Sequence, residues 1–370
     1  MLLSPFDFLF EVFGPAEGIG GLLFLENISA KDFDARFALL GATDGQQYDD
    51  NPVIGSRFLG NGEYVAANEA YGVVLTFIAS GDDLPHPDAD AEKLRKAKLR
   101  ANTTAADAST DADGKKAAAP RATVTITDKS GGHIRTFTTD VHQGINRATW
   151  NLKRDGLPPL PGDKKTPDAD LPDGIEVIPG TYSVAVTFDG QTQSLEAEVL
   201  VDPRVNVSLA AMQANQDMQL ELQTLDATIN DALSQIVTAR RDLGTIQTLL
   251  SQAPDPEQFA ALKSQVTENL TMLTTVEAGL RNPADTKGRP YVDGTASSVV
   301  DRAQDFLKTT YEAPSPTALA FAKIAEARVN ETVSALNGYL SGDFAKLRAA
   351  FTDSALGLLT QEPVAIEASR

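Results

Sequence analysis

The chain of 370 residues contains no cysteine. Disulfides, thiol catalysis and thiolate metal sites are therefore excluded. Histidine is scarce, and none of His86, His133 and His142 pairs with another at a spacing that sets two ligands on one helix face. Positive charge is short as well: 32 Lys and Arg stand against 51 Asp and Glu, a net charge of −19. Such a surface repels phosphate backbones and anionic lipid, so no nucleic-acid partner is expected. The acidity itself reads as a solubility feature.

Long apolar runs are missing too. The N-terminal "MLLSPFDFLFEVFGPAEGIGGLLFLENISA" is interrupted by Asp7 and Glu11 and broken by Pro5, Pro15 and paired glycines. No Lys or Arg precedes it. It fits neither a secretory signal nor a spanning helix, and no membrane insertion is expected. Its expected state is buried β-structure, the edge of something larger. Catalytic signatures are also lacking. There is no G-x-S-x-G or S-x-x-K, and "GIGG" at 18–21 does not have phosphate-loop spacing. "STDADGKK" places Asp111, Asp113 and Gly114 as a calcium loop would, but Ser109 and Pro120 occupy its first and twelfth positions. Asn269 and Asn330 head glycosylation-like triplets inside helical patterns, where chance explains them. No catalytic, cofactor-binding or metal-ligating residue is assigned.

What is present is pattern. Residues 1–70 are rich in Gly and Phe, with one strand suggested by Phe33, Ala35, Phe37 and Leu39. From 71 to 203 the reading is β. "YGVVLTFIA" is one strand; "RATVTITDKSGGHIRTFTTD" and "PGTYSVAVTFDGQTQSLEAEVLV" are hairpins turning at "DKSGG" and "DG". In "GINRATWNL", Ile145, Arg147 and Thr149 lie on one face and Asn146, Ala148, Trp150 and Leu152 nearer the other. Trp150, the only tryptophan, is either the plug between two sheets or a ligand-contacting residue. Residues 80–120 are expected to be a solvated, disordered insert with one short charged helix at "DAEKLRKAKLR", and 157–179 a surface loop.

From 207 onward the pattern is helical. Met218, Leu222, Leu225, Ile229, Ala232, Ile236, Ala239, Leu243, Ile246 and Leu250 form an unbroken heptad seam, roughly 60 Å long at 1.5 Å per residue. A second helix is capped by Asp255, with Pro256 in its first turn and Gln258 completing a capping box. A third runs through Val299, Ala303, Phe306 and Leu307. Ser315 and Pro316 open a fourth, and a last short helix covers 343–359. The seam serves either a bundle core or an intermolecular coiled coil, which would make a homo-oligomer.

The β region carries a resemblance. Asp128, Arg135, Gly144, Asn146, Trp150, Leu152, Pro179, Gly180, Tyr182, Asp202, Pro203 and Arg204 match D-x-x-G-x-x-x-R, G-x-N-x-x-x-W-x-L, P-G-x-Y and D-P-R patterns. These resemble the C-terminal region of bacterial sortilin-like, BNR-repeat β-propeller proteins labelled glycosyl hydrolases. The same piece resembles the immunoglobulin-like domain of flagellar hook-capping proteins. "NEAYGVVLTF" is similar to the family's N-P-P-Y-G strand, with Glu69 and Ala70 in place of the prolines. The likeness spans roughly 65–370 and omits the propeller, to which the hydrolase label belongs.

The resemblance implies an α+β multidomain chain. An irregular or β segment, 1–70, is read as a propeller remnant. An antiparallel immunoglobulin-like β-sandwich follows at 71–203, then an antiparallel three- or four-helix bundle at 207–370. The implied function is a non-catalytic accessory or interaction module beside a β-propeller protein, needing no cofactor, in a periplasmic or extracellular location. A glycoside hydrolase working through two convergent carboxylates, and a structural surface protein, are the alternatives.

Overall fold

The protein is described by a computed structural model over residues 30–48, 70–102, 119–159, 169–253, 256–282 and 294–354. It is mixed α and β, about 50% helix and 25% strand, as the α+β expectation has it at that level. Two compact units divide the chain: residues 1–155 with 176–206, and residues 156–175 with 207–370. Among the described residues no helix is long and apolar enough to cross a membrane.

The first unit begins with α1 (Ala30–Asp34), β1 (Phe37–Ala42), β2 (Gly45–Gln46), β3 (Val73–Ala79) and α2 (Ala89–Asn102). It continues with β4 (Arg121–Asp128), β5 (His133–Asp140), β6 (Gly144–Trp150) and β7 (Lys153–Asp155). After β8 (Asp173–Glu176), of which only Glu176 belongs to this unit, come β9 (Gly180–Phe188) and β10 (Gln191–Leu200). One sheet has the order β1-β3-β6, another β2-β10-β9-β4-β5. Within these two sheets all pairs are antiparallel except the short parallel one between β2 and β10.

Period-two alternation sends Leu75 and Phe77 of β3, Ala148 and Trp150 of β6, Val124 and Ile126 of β4, and Val184 and Val186 of β9 into one cluster. Both expected hairpins form. In the first, the Asp128 carboxylate accepts from the backbone N–H groups of Ser130 and Gly132, each at 2.8 Å. In the second, Asp189 and Gly190 have φ of 49° and 75°, the paired positive values of a tight turn that matches strand twist.

Several expectations are corrected in this unit. Residues 37–46 are not part of a segment apart from the sheets, because β1 pairs with β3 and Phe37 enters the shared cluster. Phe33 lies in α1, so the strand begins only at Phe37. Residues 1–29 and 49–69 lie outside the described residues. The 80–120 insert is structured over 80–102. Leu84 is fully buried. The Arg36 guanidinium grips Asp83 at 2.7 and 2.8 Å, Asp189 at 2.8 Å and the Ser80 carbonyl at 3.0 Å. Charge pairing thus holds a segment whose composition suggested solvation. The expected loop at 157–179 contains strand β8, and Val201 falls beyond the end of β10, exposed.

The open strand edges are covered by side chains. Gln193 accepts from Leu39 N–H at 2.8 Å and donates to the Phe37 carbonyl at 3.3 Å, standing where a further strand would pair with β1. Asp155 does the same for β5, accepting from Thr136 N–H at 3.2 Å.

The second unit contains α3 (Leu209–Ser251), a 3₁₀ turn (Pro256–Phe259), α4 (Ala260–Leu280), α5 (Ala296–Lys308), α6 (Pro316–Tyr339) and α7 (Ala345–Thr352). In α3, Ser208 caps by accepting from Ala211 N–H at 3.2 Å. The seam from Leu222 to Leu250 is buried as its spacing requires. Cross-contacts run in opposite chain directions. Asn215 near the start of α3 reaches Leu307 at the end of α5, and Arg240 farther along pairs with Glu277 of α4. Phe306 of α5 stacks on Phe321 of α6 at 4.9 Å, and Tyr339 at the end of α6 bonds Asn269 of α4.

Here too the sequence reading needs correction. Helix α4 starts at Ala260 after the 3₁₀ turn and has no side-chain cap; Asp255 lies outside the described residues. In α5 the buried stripe is Ala296, Val300, Ala303 and Leu307, while Phe306 is 39% exposed. The last helix is not separate. α6 passes into α7 through a π-helical turn, Leu340–Phe344. Two successive four-residue steps, Leu336–Leu340–Phe344, overrun the α-helical period, and the wider turn keeps Phe344, Leu347 and Phe351 on the buried side.

Candidate functional site

The residues that carry the resemblance are spent on packing and turns. Trp150 is fully buried, donates through Nε1 to the Lys153 carbonyl at 2.9 Å, and meets Tyr182 edge-on at 5.2 Å. Tyr182 donates its hydroxyl to the Ile178 carbonyl at 2.7 Å. Gly72 has φ +118°, and a Cβ there would lie 2.0 Å from the Trp150 carbonyl oxygen. Asn146, 2% exposed, donates to the carbonyls of His142 and Gly144 at 2.8 and 2.9 Å and accepts from His142 N–H at 2.9 Å. Arg204 binds Asp202 at 2.7 Å and lies 4.3 Å from the Tyr48 ring centroid. That guanidinium, ahead of a backbone N–H bond from the same residue, holds the Asp202 carboxyl below the usual range.

The histidines are dispersed. His86 Nδ1 accepts from Asp88 N–H at 3.0 Å, His133 Nε2 is 2.8 Å from Asp155, and His142 Nδ1 is 3.0 Å from the Gln143 carbonyl. Among the described residues no group of three His, Cys, Asp or Glu could hold a metal ion. Asp111 and Asp113 lie outside the described residues. Glu92 is engaged by Arg95 at 2.6 Å, by His86 N–H at 2.8 Å and by Lys96 at 3.1 Å, which together push its carboxyl far below the usual range.

Two carboxyls stand apart, and neither was singled out in the sequence. In the first unit, burial raises Glu176 above the ordinary glutamate value, although the Tyr71 hydroxyl donates to it and Lys153 attracts it. Gln47, 3% exposed, donates its Nε2 to the Val177 carbonyl at 2.6 Å and to Glu176 at 3.4 Å. In the second unit, burial chiefly pushes Asp226 of α3 up to about 6. Gln304 of α5 donates to it at 2.5 Å, while Asp301 adds negative charge and Lys308 acts against it. Glu277 of α4 shows the opposite outcome. Its burial is outweighed by Arg281 at 2.9 Å and by Arg240, and its carboxyl stays below the usual range.

Glu176 and Asp226 each face a side-chain amide, that of Gln47 and that of Gln304 respectively, and Glu176 also accepts from the Tyr71 hydroxyl. Comparison with known protein families, with curated proteins and with solved structures returned no match.

Proposed function

We propose that this chain is a non-catalytic accessory module: an immunoglobulin-like β-sandwich joined to an antiparallel four-helix bundle, acting beside a β-propeller protein. The observation that carries the reading is the state of Trp150. The aromatic that best carries the family likeness is sealed in the core, bonded to its own backbone neighbourhood and seated on Tyr182. The sandwich reading is supported by two sheets contributing to one cluster, and by the Tyr182–Ile178 bond, which has the form of a tyrosine corner. One departure stands out. The tryptophan and the tyrosine come from different sheets here, whereas the immunoglobulin pattern puts strands C and F together. The bundle reading is supported by the opposed directions of α3 with α4 and α5, and of α6 with α4 and α5.

The partner follows from the resemblance alone. Mixing the purified chain with a propeller protein of the resembled family, then measuring mass by light scattering, should give a one-to-one complex. A self-associated chain that ignores the propeller favours the structural surface reading instead. Incubation with a glycan panel should give no turnover. Turnover abolished by Glu176→Gln or Asp226→Asn would overturn the proposal in favour of a hydrolase.

A further inference from the structure

Asn146 and Asn215 show how a buried amide is satisfied in this protein. Each donates through Nδ2 to carbonyls, and each Oδ1 accepts, from His142 N–H at 2.9 Å and from Gln219 at 2.7 Å. Gln47 differs. It is 3% exposed and donates its Nε2 to the Val177 carbonyl at 2.6 Å, yet its Oε1 is buried with no hydrogen-bond partner among the described residues. Turning the amide over does not repair this, because Oε1 would then face another acceptor, the Val177 carbonyl oxygen. The backbone of Val177 thus fixes the orientation. The same Nε2 lies 3.4 Å from Glu176 Oε1, so Gln47 Oε1, bonded to the same carbon, stands beside that carboxylate. The Tyr71 hydroxyl donates to Glu176, and a hydroxyl that donates still carries acceptor lone pairs. Three oxygen-bearing side chains therefore meet within the first unit, one from the end of β2, one from the approach to β3 and one from the end of β8.

We propose that Gln47 Oε1, the Glu176 carboxylate and the Tyr71 hydroxyl oxygen form a binding site for a monovalent cation, sodium or potassium. A buried acceptor that meets no donor destabilises the fold, and electron-rich groups side by side call for positive charge between them. An ion that takes oxygen ligands supplies it. A single charge suits a site with a single carboxylate; among the described residues no group of three His, Cys, Asp or Glu could hold a metal ion of higher charge. Lys153 attracts Glu176 but gives Gln47 Oε1 no hydrogen bond, so it does not take the place of the ion. The net charge of −19 also concentrates cations around the chain. Because the three side chains come from separate stretches of sequence, occupancy should stabilise the first unit. This binding is separate from the docking role proposed above and does not depend on it.

The test is urea unfolding of the full chain, followed by the emission of Trp150 and run at one ionic strength set with sodium, potassium or choline chloride. Choline controls for screening, since a bulky quaternary ammonium does not fit among three converging oxygens. The folded-to-unfolded ratio should be about tenfold higher in the sodium or potassium salt than in choline once that salt stands about tenfold above its dissociation constant. Gln47→Met removes the oxygen at nearly the same volume and should abolish the difference. Equal stability in all three salts would overturn the proposal, with Gln47 Oε1 met by water alone. So would a difference that persists in Gln47→Met. Should that variant fail to fold, sodium NMR decides. The unmodified chain should broaden the sodium line beyond what the Glu176→Gln chain does, and added potassium should remove the excess. Equal line widths for the two chains would refute the site.

Discussion

At the scale of single residues, the first unit depends on a few contacts that admit no substitute. Gly72 combines left-handed backbone with a site where a Cβ would press on the Trp150 carbonyl at 2.0 Å. Gly72→Ala should therefore destabilise that unit by about 3 kcal/mol or more, strain and steric overlap adding together. Denaturant unfolding followed by tryptophan emission checks this, and an effect under about 1 kcal/mol would show that the backbone relaxes. Asn215 plays a comparable part among the helices. Its Nδ2 donates to the carbonyls of Leu307, Thr310 and Glu312 at 3.4, 3.2 and 2.9 Å, satisfying the end of α5 from the side of α3. Asn215→Ala should cost about 1–3 kcal/mol, the penalty for acceptors left without a donor. Local residues of this kind were partly readable. Trp150 could be placed on an inner face because Asn146, Ala148 and Leu152 alternate with it. Asn215 could not, since its partners are carbonyls 92 to 97 residues away.

Elements were legible where one period repeats. The seam of α3 and the alternation in β4 and β9 specify which side is buried before any partner is known. They were illegible where the period breaks or a terminus is made by something other than a capping side chain. The π turn after Tyr339 joins what spacing alone divides into two helices, and the 3₁₀ turn at Pro256–Phe259 displaces the start of α4. The carboxyl clusters escaped for a related reason: Tyr71 and Glu176 are 105 residues apart, Asp226 and Gln304 78. Strand edges show the same limit. Nothing in "DGQTQSL" marks Gln193 as the residue that completes β1, yet its amide serves both the Leu39 N–H and the Phe37 carbonyl. Gln193→Ala should cost only about 0.5–1.5 kcal/mol in stability. Its larger effect should be on association, because an uncovered edge is a template for strand pairing. Light scattering during prolonged incubation should rise faster for the variant; matching traces would mean that the edge is protected by other groups.

For the molecule as a whole, the two hydrophobic clusters share no residue: one draws on β1, β3 to β6, β9 and β10, the other on α3 to α7. A chain with two separate cores has no reason to unfold as a single two-state system. The residue types supply a separate probe for each. Trp150 is the only tryptophan and belongs to the first core, so its emission reports that unit alone. The signal of far-ultraviolet circular dichroism is dominated by the helices, most of which lie in the second unit. Urea titration should accordingly give two midpoints, one by emission and one by ellipticity. Introducing Gly72→Ala should move the first and leave the second in place, while Asn215→Ala should do the reverse. If both probes instead shift together in each variant, the cores are thermodynamically coupled, and the division into two units describes geometry without describing stability.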